Sequence, residues 1–165
     1  MQKIDTTDLA NRLLFIIGVV FVILTIFIAL DPAQFIQFGY FGVFVFNLFG
    51  PGTLLIPLIA DHFNVVMLAL VSAIGMSLND SVVYVIGRSG QSVVKPGKRS
   101  DKVRDWVVKY GRLGLFSFSL LPLPIDIVGG TVGYLSLPYS YFIVPTFAGK
   151  FIRFLAVGLV VIWFF

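Results

Sequence analysis

The chain has 165 residues, 58% of them hydrophobic and 12% charged, with a mean hydropathy of +0.99. Soluble domains carry roughly 25% charged residues, so this composition excludes a soluble globular protein and points to an all-α integral membrane protein. The length allows a single membrane domain over 1–165 and no separate soluble module. Cysteine is absent, which excludes disulfides, thiolate catalysis and cysteine-ligated metals. The net charge of +4 is segregated: from Arg88 to Arg112 eight basic residues stand against Asp101 and Asp105, a surplus of six, whereas residues 31–85 contain no Lys or Arg. Basic residues in short loops stay on the cytoplasmic side. The 88–112 loop and the N-terminus, with Lys3 and Arg12, are therefore expected inside, the 31–64 region and the C-terminus outside. Topology accounts for the basic loop, and no nucleic-acid partner is expected.

In chain order, residues 13–30 form an uninterrupted apolar run of about 27 Å as helix, enough to span. The run ends at Asp31-Pro32 without a small-residue cleavage pattern and reads as a retained transmembrane helix. Residues 40–60 are apolar but broken by Gly50-Pro51-Gly52, and each half reaches only about 12–15 Å. Proline deletes a helical hydrogen bond, and hydrocarbon offers no water to replace it. The sequence thus predicts a re-entrant hairpin that returns to its own side, followed by the polar cluster Asp61, His62 and Asn64. Residues 65–87 form a full-length transmembrane helix with Ala69, Ala73, Ser77 and Ser81 on one stripe, suited to close central packing. Within the 88–112 loop, Ser100 suits an N-cap, and Val103, Trp106, Val107 and Tyr110 share one face. Such an amphipathic helix is expected in the headgroup interface, as a topology anchor or as a reader of anionic lipid. Residues 113–135 repeat the broken pattern around Pro122 and Pro124, followed by Asp126 and by Gly129, Gly130 and Gly133, where one hairpin could flex. Residues 139–165 form the last span, opened by Pro138 and bent or interrupted by Pro145.

A hairpin followed by a span therefore occurs twice. Since a re-entrant hairpin does not change sides, the crossing at 65–87 makes the two hairpins enter from opposite faces, an inverted repeat preceded by one N-terminal helix. The interval from Pro51 to Asp80 equals that from Pro124 to Arg153. Secondary transporters place substrate sites near the midplane, where such repeats bring discontinuous helices together.

Asp80, Asp126, Lys150 and Arg153 are expected at membrane depth. A charge left facing lipid costs roughly 2.5–3.5 kcal/mol on insertion scales, so these residues are expected to face inward and to be paired or hydrated. Asp80 falls within reach of Lys150 or Arg153, either as an ion-pair staple or as part of a substrate or proton path. Asp126 either caps the returning half-helix or titrates during transport. His62 reads as a solvated interfacial residue; one His beside one Asp makes no metal site, and neither metal nor cofactor is expected.

The stretch Asn79-Asp80-Ser81-Val82-Val83-Tyr84-Val85-Ile86-Gly87-Arg88-Ser89-Gly90 resembles the D-x-x-x-Y-x-x-G-R-x-G motif of the DedA family, also called the SNARE-associated or VTT-domain family. Leu121-Pro122-Leu123-Pro124-Ile125-Asp126, then Gly129, Gly133, Pro138, Phe142, Thr146 and Gly149-Lys150-Phe151-Ile152-Arg153-Phe154, resembles the second half of its small YqaA-like branch. The resemblance covers about residues 39–160. It implies opposed re-entrant hairpins, a prokaryotic cell membrane, and flipping of polyprenyl-phosphate carriers or scrambling of phospholipids. It also implies a pathway that includes Tyr84 and Arg88 besides Asp80, Asp126, Lys150 and Arg153. Larger members carry a Glu in the first hairpin region and arginines in the second, linked to proton-dependent function. This chain contains no Glu, and Asp126 has no adjacent Arg, which leaves Asp61, Asp80 and Asp126 as the carboxylates available for proton linkage.

The leading expectation is a lipid flippase or scramblase whose hairpin tips line a polar pocket, with Lys150 and Arg153 neutralising an anionic or phosphate-bearing headgroup. The alternative is a non-transporting scaffold or membrane-homeostasis factor, in which the charges staple the fold and the basic loop docks lipid or a partner. A homo-oligomer is compatible with either. An enzyme is not expected, since no nucleophile, base and acid occur at usable spacing.

Overall fold

A computed structural model describes residues 36–49, 52–89, 98–121 and 125–164, together with Val20, Ile23, Ile26 and Phe27. The last four are helical and exposed; the rest of the expected 13–30 helix lies outside the described residues. The described chain is helical throughout: α1 (Gly39–Phe49), α2 (Gly52–Ile59), a 3-10 turn (Ala60–His62), α3 (Val65–Ser89), α4 (Lys98–Leu120), α5 (Asp126–Tyr134) and α6 (Tyr139–Phe164). Only α3 and α6 are long and apolar enough to cross a membrane, with mean hydropathies of 1.7 and 1.9 over their most apolar windows, among the described residues.

The two broken stretches are pairs of short helices, about 16 Å and 12 Å long for α1 and α2. The breaks themselves, Gly50 and Pro51 in the first and Pro122 and Pro124 in the second, lie outside the described residues. The feet of the first pair lie together. The hydroxyl of Tyr40, at the start of α1, accepts the backbone N–H of Asn64 at 3.2 Å, and the Tyr40 ring packs on Phe63 at 5.1 Å. The Asn64 side chain then caps α3, accepting from the N–H groups of Val66 and Met67 at 3.1 and 3.2 Å. In the second pair, the Arg112 guanidinium lies over the ring of Tyr141 at 5.2 Å, so entry and exit again adjoin.

α4 is two helices joined at Gly111, whose φ of 56° and ψ of −135° lie outside the helical region. This break separates the expected amphipathic helix from the segment that follows it. The reversal folds 98–110 back onto the segment after Gly111: Trp106 meets Phe118 edge-on at 4.4 Å, and Val107 is buried beside Leu115 and Phe142. Of the expected apolar face, Val107 is buried and Trp106 half-buried against protein, while Tyr110, Arg104, Asp105 and Lys109 stay exposed.

α3 packs against α1, α5 and α6, and α6 packs against α3, α4 and α2, whereas the two helix pairs make little contact with each other. Close approach needs small residues. A Cβ on Gly75 would meet the Phe44 carbonyl at 2.8 Å and the Asn47 Cβ at 3.0 Å; one on Gly149 would meet the Phe116 carbonyl at 2.6 Å and the Ser119 Cβ at 2.7 Å. The same contact is made twice, at corresponding places. Of the expected small-residue stripe, Ala69, Ala73 and Ser77 are at most 2% exposed, and Ser81 is half-buried. Gly133 packs directly on the Tyr84 carbonyl, so it serves contact with α3.

Two apolar clusters result. One gathers Val43, Leu55, Ile56, Leu68 and Phe154; the other gathers Tyr84, Val107, Leu115, Val128 and Phe142. A prediction follows from the repeated contact. Gly75→Ala and Gly149→Ala each push a methyl against backbone, which outweighs the helix-propensity gain and gives a net loss of about 1–2 kcal/mol. Gly130→Ala, whose Cβ would find its nearest neighbour at 3.6 Å, is expected to hold or raise the midpoint of thermal unfolding in detergent. Equal midpoints for all three would refute the packing argument.

Candidate functional site

Between the apolar clusters lies a layer of buried polar side chains: Ser77 and Asp80 on α3, Thr146 and Lys150 on α6, Asn47 on α1 and Ser119 on α4. Lys150 sits about 16 Å along α6 from Tyr139. Its Nζ lies 2.7 Å from Asp80 Oδ2, with the two side chains 2% and 8% exposed, and it donates to the Met76 carbonyl at 3.3 Å. The sequence reading brought Asp80 to either Lys150 or Arg153; the direct pair is with Lys150. At this burial, each ion is tolerated because the other is present.

Arg153, one turn further on, is held differently. Nη1 donates to the Leu121 carbonyl at 3.2 Å, and Nη2 donates to Thr53 Oγ1 at 3.3 Å and to Met76 Sδ at 3.7 Å. Nε is buried without a partner, and the guanidinium lies over the Phe154 ring at 4.9 Å. Asp80 attracts Arg153 electrostatically, but among the described residues no carboxylate oxygen lies within 4 Å of the guanidinium. Thr53 follows the first break and Leu121 precedes the second, so this one side chain bonds to a residue beside each.

The remaining expected site residues divide. Gly52 is the buried first residue of α2, and a Cβ there would strike the Asn47 side chain. Asp126 begins α5, but its side chain lies outside the described residues. Tyr84 and Arg88 are joined to each other: Arg88 Nη1 donates to Tyr84 Oη at 2.8 Å, and that hydroxyl donates to the Leu137 carbonyl at 2.7 Å. Tyr84 also stacks on Phe142, and Ser81 meets Tyr139 at 2.7 Å. This network ties the end of α3 to the start of α6, beyond the Asp80 layer. His62 Nε2 lies 3.4 Å from Asp61 Oδ2, with both side chains about half exposed or more.

A family model, the VTT domain, matches residues 50–162, about two thirds of the chain. The chain belongs to the VTT-domain family, the DedA or SNARE-associated family. No curated protein and no solved structure matches it. The match covers α2 to α6 and with them Thr53, Asp80, Lys150 and Arg153, so the ion pair and the bridging arginine are both within the VTT domain.

Sequence reasoning did not single out Thr53, Met76 or Asn47. Asn47 was detectable: it is the one strongly polar side chain in α1, and polar groups at membrane depth are rare. It is fully buried, and its Nδ2 donates to the Val43 carbonyl and to Ser72 Oγ. Met76 carries no such signal, because its part is played by a backbone carbonyl and a thioether.

Removing one partner of a buried pair strands the other, typically at about 3–5 kcal/mol. Asp80→Asn or Lys150→Met alone is therefore expected to lower the thermal midpoint sharply in detergent, and the double variant to recover most of the loss. A double variant as unstable as the worse single one would rule out an ion-pair staple.

Proposed function

We propose that the chain is a lipid transporter, a flippase or scramblase for phosphate-bearing lipids, rather than an enzyme. In this reading the two helix pairs are re-entrant hairpins entering a prokaryotic cell membrane from opposite faces, with the basic loop cytoplasmic. The adjoining feet of each pair support it, as does the placing of those feet toward opposite ends of α3. So does the correspondence of Gly39 with Gly111, both at φ 56°, and of Gly75 with Gly149.

The observation that carries the proposal is the position of Arg153. Its guanidinium bonds to Thr53, just after the first break, and to Leu121, just before the second, and its described hydrogen-bond partners are all neutral. An ammonium in direct contact with Asp80 is a poor receptor for a headgroup; a guanidinium that Asp80 attracts only from a distance, with no described carboxylate within 4 Å, is a better one. The roles of the two cations are therefore separated: Lys150 holds the bundle and Arg153 meets the lipid phosphate. The buried Lys150–Asp80 pair by itself favours the second reading, a non-transporting scaffold in which Arg153 ties the two helix pairs together, but a scaffold does not need the unpartnered Nε of Arg153.

The test is translocation of a fluorescent phospholipid in proteoliposomes. Arg153→Ala is expected to reduce the rate at least tenfold, whereas Asp80→Asn with Lys150→Met retains most of it. Wild-type rates equal to protein-free liposomes would exclude transport and favour the scaffold. For proton linkage, Asp80 is engaged by Lys150, and Asp61 lies at the surface beside His62, which leaves Asp126. Asp126→Asn is expected to flatten the pH dependence of translocation; an unchanged pH profile would remove Asp126 from that role.

A further inference from the structure

The two helix pairs pack on α3 and α6 rather than on each other. Arg153 nevertheless connects them, through Nη1 to the carbonyl of Leu121 just before the second break and through Nη2 to the hydroxyl of Thr53 just after the first. At 3.2 and 3.3 Å these bonds are at the long end of the N–H···O range or past it, and their acceptors are uncharged. Hydrogen bonds from a guanidinium to an anionic oxygen are shorter and roughly twice as strong, and a phosphate accepts two in parallel. A phosphate that reaches this position therefore outcompetes what Arg153 holds now.

The geometry also fixes which contact gives way. The side-on fork of a guanidinium is made by Nε and Nη2. Nε is the nitrogen without a partner, and Nη2 is the one that holds Thr53 and Met76. Nη1, with Leu121, lies outside that fork. Leu54 and Leu121 are 57% and 52% exposed, so the surface beside both breaks is open to an amphiphile.

We infer that a phosphate group binds the Nε–Nη2 edge of Arg153 and takes the place of Thr53, releasing the tip of the first hairpin while the second stays tied through Leu121. This rests on the transport reading above and adds that the headgroup receptor and the link between the hairpins are the same side chain. Thr53 is then a competitor of the ligand: its hydroxyl occupies Nη2 in the empty state and is free once phosphate is bound.

The absence of cysteine allows Leu54→Cys and Leu121→Cys to be spin-labelled without other changes. Dipolar EPR in a neutral detergent is run with dihexanoyl phosphatidylglycerol, with inorganic phosphate, and with dihexanoylglycerol, which lacks phosphate; binding is followed in parallel by thermal shift. Dihexanoyl phosphatidylglycerol is expected to widen the 54–121 distance, dihexanoylglycerol to leave it unchanged, and Arg153→Gln to abolish the response. Widening by inorganic phosphate as well assigns the site to phosphate of either source; widening by the lipid alone assigns it to the headgroup. Thr53→Val, which removes the competing hydroxyl, is expected to widen the distance without ligand and to tighten phosphatidylglycerol binding about tenfold. Arg153-dependent binding with an unchanged distance, or weaker binding in Thr53→Val, overturns the release mechanism and leaves the transport reading standing. Absence of any Arg153-dependent binding overturns both.

Discussion

The arrangement of this bundle depends on an ammonium and a carboxylate brought to 2.7 Å in a place with almost no solvent. Neither Lys150 nor Asp80 is tolerable there alone, and together they join α3 to α6. Around that joint, Gly75 and Gly149 fall against the first helices of their own pairs, and Gly133 falls against Tyr84. The ion pair joins the two long helices, and the small residues let the helices of each pair approach them backbone to backbone. The apolar clusters then close above and below this layer, each drawing residues from one helix pair and from both long helices.

Much of this architecture was legible because its causes are local in the chain. Hydropathy located α3 and α6 to within a few residues, since an apolar run long enough to span a bilayer has few other uses. Proline and glycine located both interruptions for the same kind of reason. The amphipathic helix shows where such reading stops. Its periodicity was visible, but what its apolar face would meet depended on the backbone at Gly111, and a φ of 56° there set Trp106 against Phe118. Periodicity identifies a face that needs covering and does not say what covers it.

The candidate site divides along the same line. That Asp80, Lys150 and Arg153 belong near one another followed from their depth and from the cost of charge in hydrocarbon. Which cation pairs with Asp80 did not, because a turn of helix separates Lys150 from Arg153 and both side chains are long enough to reach. The partners of Arg153 were less accessible still. Thr53 lies 100 residues away in sequence, and the Leu121 contact is a backbone carbonyl, which any residue type would supply.

The neutrality of Met76 completes the argument. By the correspondence of Gly75 with Gly149, Met76 occupies in α3 the place that Lys150 occupies in α6, and it contacts both cations of α6: its carbonyl accepts from Lys150 and its sulfur from Arg153. A carboxylate at this position would neutralise Arg153 and turn the layer into a closed network of ion pairs. A thioether is polarisable enough to sit against a guanidinium and too weak an acceptor to satisfy it. In the proposed reading, the charge of Arg153 stays available because the residue facing it fills the space without cancelling the charge.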